Sequence, residues 1–380
     1  MWSLLKKGTI MITPNIFWCS SCLNASTRPR ITFDSNGSCN ACQWSKRKKE
    51  LDWSSRLAQL RQVVSQEKEK SLPFDCLVPV SGGKDGSYVA HQLKTKYGLN
   101  PLTVTVRPSL ELPIGRTNLE NFIASGFDHI HVSPNPDGLR KLNQIGFTDL
   151  GFPYYGWLVA IQSAVLRLAA QFGISLVFYG EDGEVEYGGT SATEDSPFYD
   201  PSYMKRIYLE GGHVSSINKL KEAGHSAYWY EFPDNKDASD LKITHWSYFE
   251  EWDSYRNYLV AKESCGLIEA DSSNEGTFTN FAQNDQALYG LHAYLMYLKF
   301  GFGRATQDAG IEIRRGAMSR DQAVNLVRLY DGQFPAGHLQ SYLDYYEMSE
   351  AEFRSVLDKF TNKDLFELTA EGPKPKFTVV

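Results

Sequence analysis

The sequence has no run of about 18 apolar residues, so no membrane-spanning helix is expected. The first 12 residues carry two lysines, but their apolar stretch is too short for a signal peptide. A basic excess is also lacking, because 45 acidic residues outnumber 39 basic ones and leave a net charge of -6. Nucleic-acid binders usually carry a basic surface, since phosphate neutralisation dominates their affinity. We therefore expect a cytoplasmic protein that binds neither membrane nor nucleic acid.

The chain has six cysteines in 380 residues, too few for a disulfide scaffold. Four of them form two close pairs in the sequence. Cys19 and Cys22 are followed, after sixteen residues, by Cys39 and Cys42. Two such Cys-x2-Cys pairs place four thiolates tetrahedrally at about 2.3 Å from one zinc ion. A redox pair or an iron–sulfur ligand set uses the same residue type, but this spacing favours structural zinc. Because four thiolates leave no open coordination position, we assign the site to folding rather than to catalysis.

Hydrophobic runs and helical patterns alternate between residues 74 and 179, which predicts an α/β fold with a parallel sheet and helices on both faces. The expected strands are 74–80, 101–106, 128–132 and 174–179, and the expected helices are 84–97, 118–125 and 154–172. Beyond residue 200 the pattern is mainly helical, at 285–300, 320–330 and 350–360, with a loosely ordered tail from 372. The chain is therefore expected to have three parts: a zinc module at 1–50, a sheet domain at 51–200 and a mainly helical substrate or partner domain at 201–380.

The segment Ser81–Ser87, Ser-Gly-Gly-Lys-Asp-Gly-Ser, lies between the first predicted strand and its helix. Glycines in such a turn let the backbone approach a phosphate, and free N–H groups at the helix start bind the anion. Lys84 adds positive charge, Asp85 is suited to hold Mg²⁺, and the two serines offer hydroxyls. A strand-to-helix turn without a ligand is the alternative, but the matched Lys, Asp and Ser favour a phosphate site.

This segment resembles the pyrophosphate loop of the PP-loop ATP pyrophosphatases, whose pattern is Ser-Gly-Gly-x-Asp-Ser. Gly86 stands where that pattern has serine, and Ser87, one place later, is the candidate for the missing hydroxyl. The resemblance implies that residues 51–200 bind ATP and Mg²⁺ and that pyrophosphate is released. The expected nucleotide site consists of the loop and two residues at the ends of strands: Ser81, Gly82, Gly83, Lys84, Asp85, Gly86, Ser87, Val106 and Gly180.

A second polar segment, residues 180–184, follows the strand expected at 174–179. Ligands of open parallel sheets gather at the carboxyl ends of the strands, so this segment should face the phosphate loop. Its carboxylates would hold magnesium or take a proton from ammonium, unless they form an ordinary acidic surface turn: Glu181, Asp182 and Glu184. We take Glu181, with Lys84 and Asp85, as the candidate catalytic set.

Several further motifs resemble the N-acetyl sugar amidotransferases of bacterial surface-polysaccharide and lipopolysaccharide (O-antigen) synthesis. Besides the cysteine pairs and the strand-loop segment 77–86, they are Glu186–Gly189, Gly276–Asn280, Leu295–Arg304, Asp308–Arg315 and Met318–Arg320. The resemblance implies an ATP-dependent carbon–nitrogen ligase that converts an acetamido group of a nucleotide-linked sugar to an acetamidino group. It also implies ammonia from a separate glutaminase, delivered through a cyclase-like channel subunit.

Polar residues in these motifs are the candidates for binding the sugar: Glu184, Glu186, Tyr187, Thr279, Asn280, Arg304, Arg314 and Arg315. Two neighbouring arginines could clamp a carboxylate or diphosphate bidentately. They could equally pair with Glu312 and Asp308 along one helix. The asparagine and threonine residues form either a polar substrate loop or a helix N-cap.

The expected chemistry agrees with the residues. An amide carbonyl is a poor electrophile, and transferring AMP to its oxygen makes a good leaving group, so positioning and charge stabilisation do most of the work. A tRNA-thiolating PP-loop enzyme is the alternative. It needs cysteines beyond the zinc set, where only Cys76 and Cys265 are left, and a basic tRNA surface. A nucleotide-binding regulator without activity would leave Lys84, Asp85 and the helical half unexplained.

Overall fold

Five parallel strands form the central sheet in this computed structural model, which describes residues 16–234 and 240–380. Their order across the sheet is β3-β2-β1-β4-β5. The strands are β1 Cys76–Pro79, β2 Pro101–Val106, β3 His129–Val132, β4 Leu176–Tyr179 and β5 Lys242–His245. The order reverses between β1 and β4, so a crevice opens at the carboxyl ends of these two strands, where ligands of such sheets bind.

Fifteen α-helices occur in the described residues. In chain order they are α1 Asn40–Arg47, α2 Trp53–Glu69, α3 Lys84–Thr95, α4 Pro113–Ala124, α5 Pro136–Ile145, α6 Tyr155–Gln171, α7 Gly183–Tyr187, α8 Pro201–Tyr203, α9 His213–Glu222, α10 Ser254–Cys265, α11 Leu288–Phe300, α12 Arg304–Arg315, α13 Arg320–Tyr330, α14 Leu339–Tyr346 and α15 Glu350–Phe360. The described residues also include two π-helical turns, Gly146–Leu150 and Met204–Tyr208, and two 3₁₀ turns, Trp246–Tyr248 and Ala336–His338.

Alternate residues of the strands enter two separate hydrophobic cores. Leu77 and Val177 pack on one face with α5, α6 and α11, whereas Val78 and Phe178 pack on the other with α2 and α3. Side chains of a strand alternate between its faces, so both faces of this sheet are covered. The predicted α/β fold with a parallel sheet and helices on both faces is confirmed.

The N-terminal cysteine module lies against α7 and α12, and Ile313 of α12 packs on the cysteines. Helices α13 and α15 begin with capping boxes, Ser319 with Gln322 and Ser349 with Glu352, in which each partner satisfies a free backbone N–H. Through Ile313 of α12, the module is in direct contact with the helical half.

Two features depart from the sequence analysis. Strand β5 lies in the part expected to be helical, beyond residue 200, because it completes the sheet next to β4. The tail is not loosely ordered: β6 Phe366–Thr369 and β7 Gly372–Pro375 form an antiparallel hairpin, and Val379 is buried. Among the residues described, no helix is both long and apolar enough to cross a membrane.

Candidate active site and metal centre

The four paired cysteines converge on one point. Their sulfur atoms all lie within 4.8 Å of one another, and all four residues are buried and unbridged by disulfides. Cys19 Sγ is 3.9 Å from Cys42 Sγ, and Cys22 Sγ is 3.5 Å from Cys39 Sγ. Four sulfurs at about 2.3 Å from a tetrahedral zinc ion would be about 3.8 Å apart. The donor set therefore fits a closed, four-thiolate zinc site.

Positive and N–H groups surround these sulfurs. The backbone N–H groups of Ser21 and Cys39 donate to Cys19 Sγ at 3.4 and 3.2 Å, and Asn24 Nδ2 donates to Cys39 Sγ at 3.4 Å. Burial by itself would lower the pKa of the Arg314 guanidinium, but the nearby thiols raise it overall, Cys22 most strongly. These contacts stabilise thiolates, which are the metal-binding form of cysteine.

The phosphate loop follows β1 and ends at α3. Gly82 has a φ of +79°, and a Cβ there would lie 2.4 Å from the Leu119 backbone nitrogen, so only glycine fits. Gly83, the N-cap of α3, contributes no side chain that would cap the first N–H groups of the helix. Those free donors and the positive end of the helix dipole make this turn suited to an anion.

Gly86 differs from the usual motif serine for a packing reason. A Cβ at Gly86 would lie 2.7 Å from the Pro79 carbonyl oxygen, because α3 packs tightly on the end of β1. Ser87, the candidate for the missing hydroxyl, is fully buried, and its Oγ has no hydrogen-bond partner among the residues described. The Ser87 hydroxyl is therefore buried away from open solvent, and Ser81 is the loop serine that remains partly exposed.

The three predicted catalytic residues come together at the carboxyl ends of β1 and β4. Lys84 and Asp85 form an ion pair in the first turn of α3, and Glu181 lies close enough to both to have its pKa altered by them. Gly180 brings the end of β4 against this turn, since a Cβ on it would be 3.3 Å from Asp85 Cβ. Asp85 Oδ1 is buried with no hydrogen-bond partner among the residues described, which fits a ligand atom for Mg²⁺.

Glu181 has a strongly perturbed carboxylate. Burial raises its pKa to about 7, with Asp85 adding to the rise and Lys84 opposing it. The Tyr187 hydroxyl donates a hydrogen bond to Glu181 Oε1 at 2.9 Å. A carboxylate that titrates near neutral pH is suited to take up and release a proton.

The other two acidic candidates of the loop are engaged elsewhere. Asp182 caps α7 by accepting from the Glu184 and Val185 N–H groups. Glu184 forms a two-point ion pair with Arg30, at 2.7 and 2.8 Å. Of the three carboxylates, only Glu181 faces the Lys84–Asp85 pair, a distinction that the sequence left open.

Arg304, at the start of α12, reaches the same cluster from the helical half. Asp308 Oδ1 accepts from its guanidinium at 2.8 Å, and Thr277 Oγ1 donates to Asp308 Oδ2 at 2.6 Å. Burial would lower the pKa of Arg304, but Asp308, Tyr187 and Glu181 raise it overall. Thr277, which belongs to the motif Gly276–Asn280, thus holds the carboxylate that orients this arginine.

The remaining predicted residues make other contacts. Their partners are as follows: Glu186 pairs with Lys48 at 2.8 Å, Arg314 donates to the Glu186 carbonyl, Arg315 pairs with Glu312 at 2.7 Å, Asn280 donates to the Ala270 carbonyl, Thr279 lies 3.5 Å from Asp308, and the buried Val106 accepts from Trp157 Nε1. The pairing of Arg315 along its helix is the alternative that the sequence offered. Trp252, which ends an aromatic-rich stretch at 246–252, packs on Gly180 and was not among the predicted site residues.

Comparison with known proteins finds a family match within the helical half. Residues 275–375 match the family described as "LPS biosynthesis protein WbpG-like, C-terminal domain", which confirms the expected resemblance over this part of the chain. No curated protein matches. One solved structure, the U34-tRNA thiolase NcsA from Methanococcus maripaludis with its 4Fe–4S cluster, has 14% identity and a TM-score of 0.30, covering 70% of this chain and 79% of that one. A likeness this weak carries no argument about function.

Proposed function

We propose that this protein is an ATP-dependent amidotransferase of surface-polysaccharide synthesis. It would adenylate the acetamido carbonyl of a nucleotide-linked sugar and replace the oxygen with ammonia, releasing AMP and pyrophosphate. The observation that carries the proposal is the convergence of the anion-binding turn, the Lys84–Asp85 pair, Glu181 with Tyr187, and Arg304. The WbpG-like domain at 275–375 supports the pathway.

Each group has a role in this chemistry. The amide oxygen attacks the α-phosphorus of ATP, and pyrophosphate leaves toward the free N–H groups of α3 and Lys84. Asp85 would hold the Mg²⁺ that neutralises the phosphates. Arg304, fixed by Asp308, would stabilise negative charge on the adenylate. No covalent enzyme intermediate is required, so positioning and charge are sufficient.

The second half-reaction needs a base. Ammonia attacks the carbon of the adenylated amide, and AMP leaves with the former carbonyl oxygen. The attacking nitrogen must then lose a proton, and Glu181, with a pKa of about 7, is able to accept it at neutral pH. A separate glutaminase with a cyclase-like channel subunit would supply the ammonia.

The positions of the two remaining cysteines favour this reaction over tRNA thiolation. Cys76 begins β1, at the opposite end of the strand from the phosphate loop, and is fully buried. Cys265 is 1% exposed, with its sulfur 3.9 Å from the Ser87 carbonyl oxygen. Within residues 16–234 and 240–380, no hydrogen bond joins either of these thiols to Lys84, Asp85 or Glu181, where a sulfur-transferring thiol would be needed.

Pyrophosphate release tests the proposal. Purified protein is given ATP, Mg²⁺ and ammonium chloride, with either UDP-N-acetylglucosamine and related N-acetylated nucleotide sugars or bulk tRNA with a sulfur donor. We expect release that requires both ammonia and an acetamido sugar, with an amidine product detected by mass spectrometry. Release that depends on tRNA and sulfur, or ATP binding without turnover under all conditions, would reject it.

A further inference from the structure

A cleft of about 1020 Å³, including its open mouth, lies beside the candidate active site. Its walls come from six parts of the chain: the segment after the first cysteine pair, the turns around residues 150 and 210, α7, the end of α11, and the start of α12. Aromatic rings, among them Phe152, Phe300 and Phe302, line it together with Arg28, Arg30 and Lys299. The cleft thus combines apolar surface with a concentration of cations.

Although Glu184 acts on Arg28 and Glu210 on Lys299 at longer range, two of these cations have no carboxylate within ion-pair distance among the residues described. The Arg28 side chain makes no hydrogen bond or ion pair with them, and its guanidinium lies 5.7 Å from the centre of the Phe302 ring. Lys299 Nζ donates to the Leu150 carbonyl oxygen at 3.1 Å and lies 5.3 Å from the Phe300 ring centre. Burial lowers the pKa of Lys299. Both side chains are partly buried, so water compensates their charge incompletely.

The cleft holds two carboxylates against three cations, so its acidic residues neutralise this pair only in part. Glu184 is occupied by Arg30 at two points and by the Thr190 N–H at 2.9 Å. Glu210 is exposed, and its nearest cation is Arg30 at 4.0 Å. Holding positive charges in a partly apolar cleft costs free energy unless an opposite charge lies close enough to balance them. A bound anion would supply the charge that balances these cations.

The cleft shares two walls with the reacting cluster. On α7, Glu184 lines the cleft, and Tyr187 bonds Glu181. On α12, Gln307 lines the cleft, and its neighbours Arg304 and Asp308 face the cluster. His292, another residue of the cleft, is close enough to Arg304 for that charge to lower its pKa. A sugar held in the cleft can therefore present one substituent to the cluster.

We propose that this cleft binds the sugar substrate through an anionic group, a phosphate or a carboxylate, held between Arg28 and Lys299, while the rings pack on the rest of the ligand. The inference rests on the proposed function, since it names the class of substrate and the residues that select it. Charge-assisted hydrogen bonds of this kind discriminate strongly against neutral analogues.

Direct binding, measured by calorimetry without ATP, tests this inference separately from turnover. The probes are UDP-N-acetylglucosamine, which carries a diphosphate; a free N-acetylated aminouronic acid, which carries a carboxylate; and N-acetylglucosamine, which carries neither. The variants are Arg28→Gln and Lys299→Gln. Arg167→Gln is the matched control, because that partly buried arginine also lies over a ring, Tyr228 at 4.4 Å, but away from the cleft.

We expect one charged probe to bind the wild-type protein and each cleft variant to weaken it about tenfold or more, with Arg167→Gln unchanged. The charged probe whose binding the cleft variants weaken shows whether the anion is a phosphate or a carboxylate. Binding of ATP and the circular dichroism spectrum should stay unchanged in all variants, which separates this test from the phosphate loop. Wild-type affinity for the charged probes in both cleft variants, equal binding of the neutral sugar, or no binding of either charged probe would overturn the inference.

Discussion

Replacing Glu181 by glutamine should make the protein more stable and less active at the same time. The side chain keeps its size, and its amide oxygen still accepts the hydrogen bond from Tyr187. The only large change is the loss of a titratable charge beside Asp85. A catalytic carboxylate held at a raised pKa costs folding free energy, and this cost can be measured.

The sign and size follow from the shifted pKa. The value is about 7 in the folded protein against 4.5 for the ordinary glutamate, so the folded state binds more protons between these pH values. Stability contributed by this group therefore falls as pH rises from 4.5 to 7. At 1.36 kcal/mol per pH unit the cost above pH 7 is at most about 3 kcal/mol, less whatever the partial solvent contact of Glu181 relieves.

Thermal melts at pH 5 and pH 8 provide the assay. We expect Glu181→Gln to raise the Tm at pH 8 and to match the wild type more closely at pH 5, while turnover falls by about 10²–10⁴-fold. Glu120→Gln, which removes an exposed acid of α4, should change neither quantity. A variant that is less stable than the wild type at both pH values, with activity retained, would show that Glu181 is a structural carboxylate and refute the reasoning.

Three further outcomes are expected. Asp85→Ala should lower turnover more than 10²-fold and weaken its dependence on Mg²⁺, whereas the exposed Asp128→Ala should not; equal Mg²⁺ dependence in both would contradict the assignment. Cys39→Ser should lose the metal, measured by atomic absorption, and most of the soluble yield, so a soluble, metal-free and active variant would count against structural zinc. Tyr187→Phe removes a hydrogen bond that lowers the pKa of Glu181, so the acid limb of the kcat/KM profile, at constant free ammonia, should move to higher pH; an unmoved limb would separate Glu181 from the base.

The parts of the site that the sequence predicted are local in the chain. The phosphate loop needs only a buried strand, two glycines and the first turn of the following helix, all within residues 76–87. The spacing of the four cysteines likewise indicates the geometry of their site. Short-range constraints of this kind leave few conformations, so the residue types alone indicate the structure.

The parts that the sequence did not resolve depend on contacts between distant residues. Glu184 and Glu186 belong to the same acidic loop as Glu181, but Arg30, 154 positions away, and Lys48, 138 positions away, remove them from the site. Strand β5, with the short sequence Lys-Ile-Thr-His, shows no strand pattern of its own and is defined by pairing with β4. The residues next to these segments in the sequence do not indicate which distant residues will contact them.

The metal module and the reacting carboxylate are connected through the short helix α7. Five residues are too few for a helix to be stable alone, so external contacts must hold α7 in place. Asn24, which also contacts Cys39 Sγ, donates to the Tyr187 carbonyl oxygen at 3.0 Å, and Trp44 of α1 donates to Glu186 at 2.8 Å.

Both contacts come from segments whose positions depend on the cysteine ligands: Asn24 follows Cys22, and α1 begins directly after Cys39. A metal held by all four thiolates would therefore fix one side of α7, while the other side presents the Tyr187 hydroxyl to Glu181. A site with no open coordination position can in this way influence turnover, because the ligand geometry determines where the phenol that tunes the base is placed.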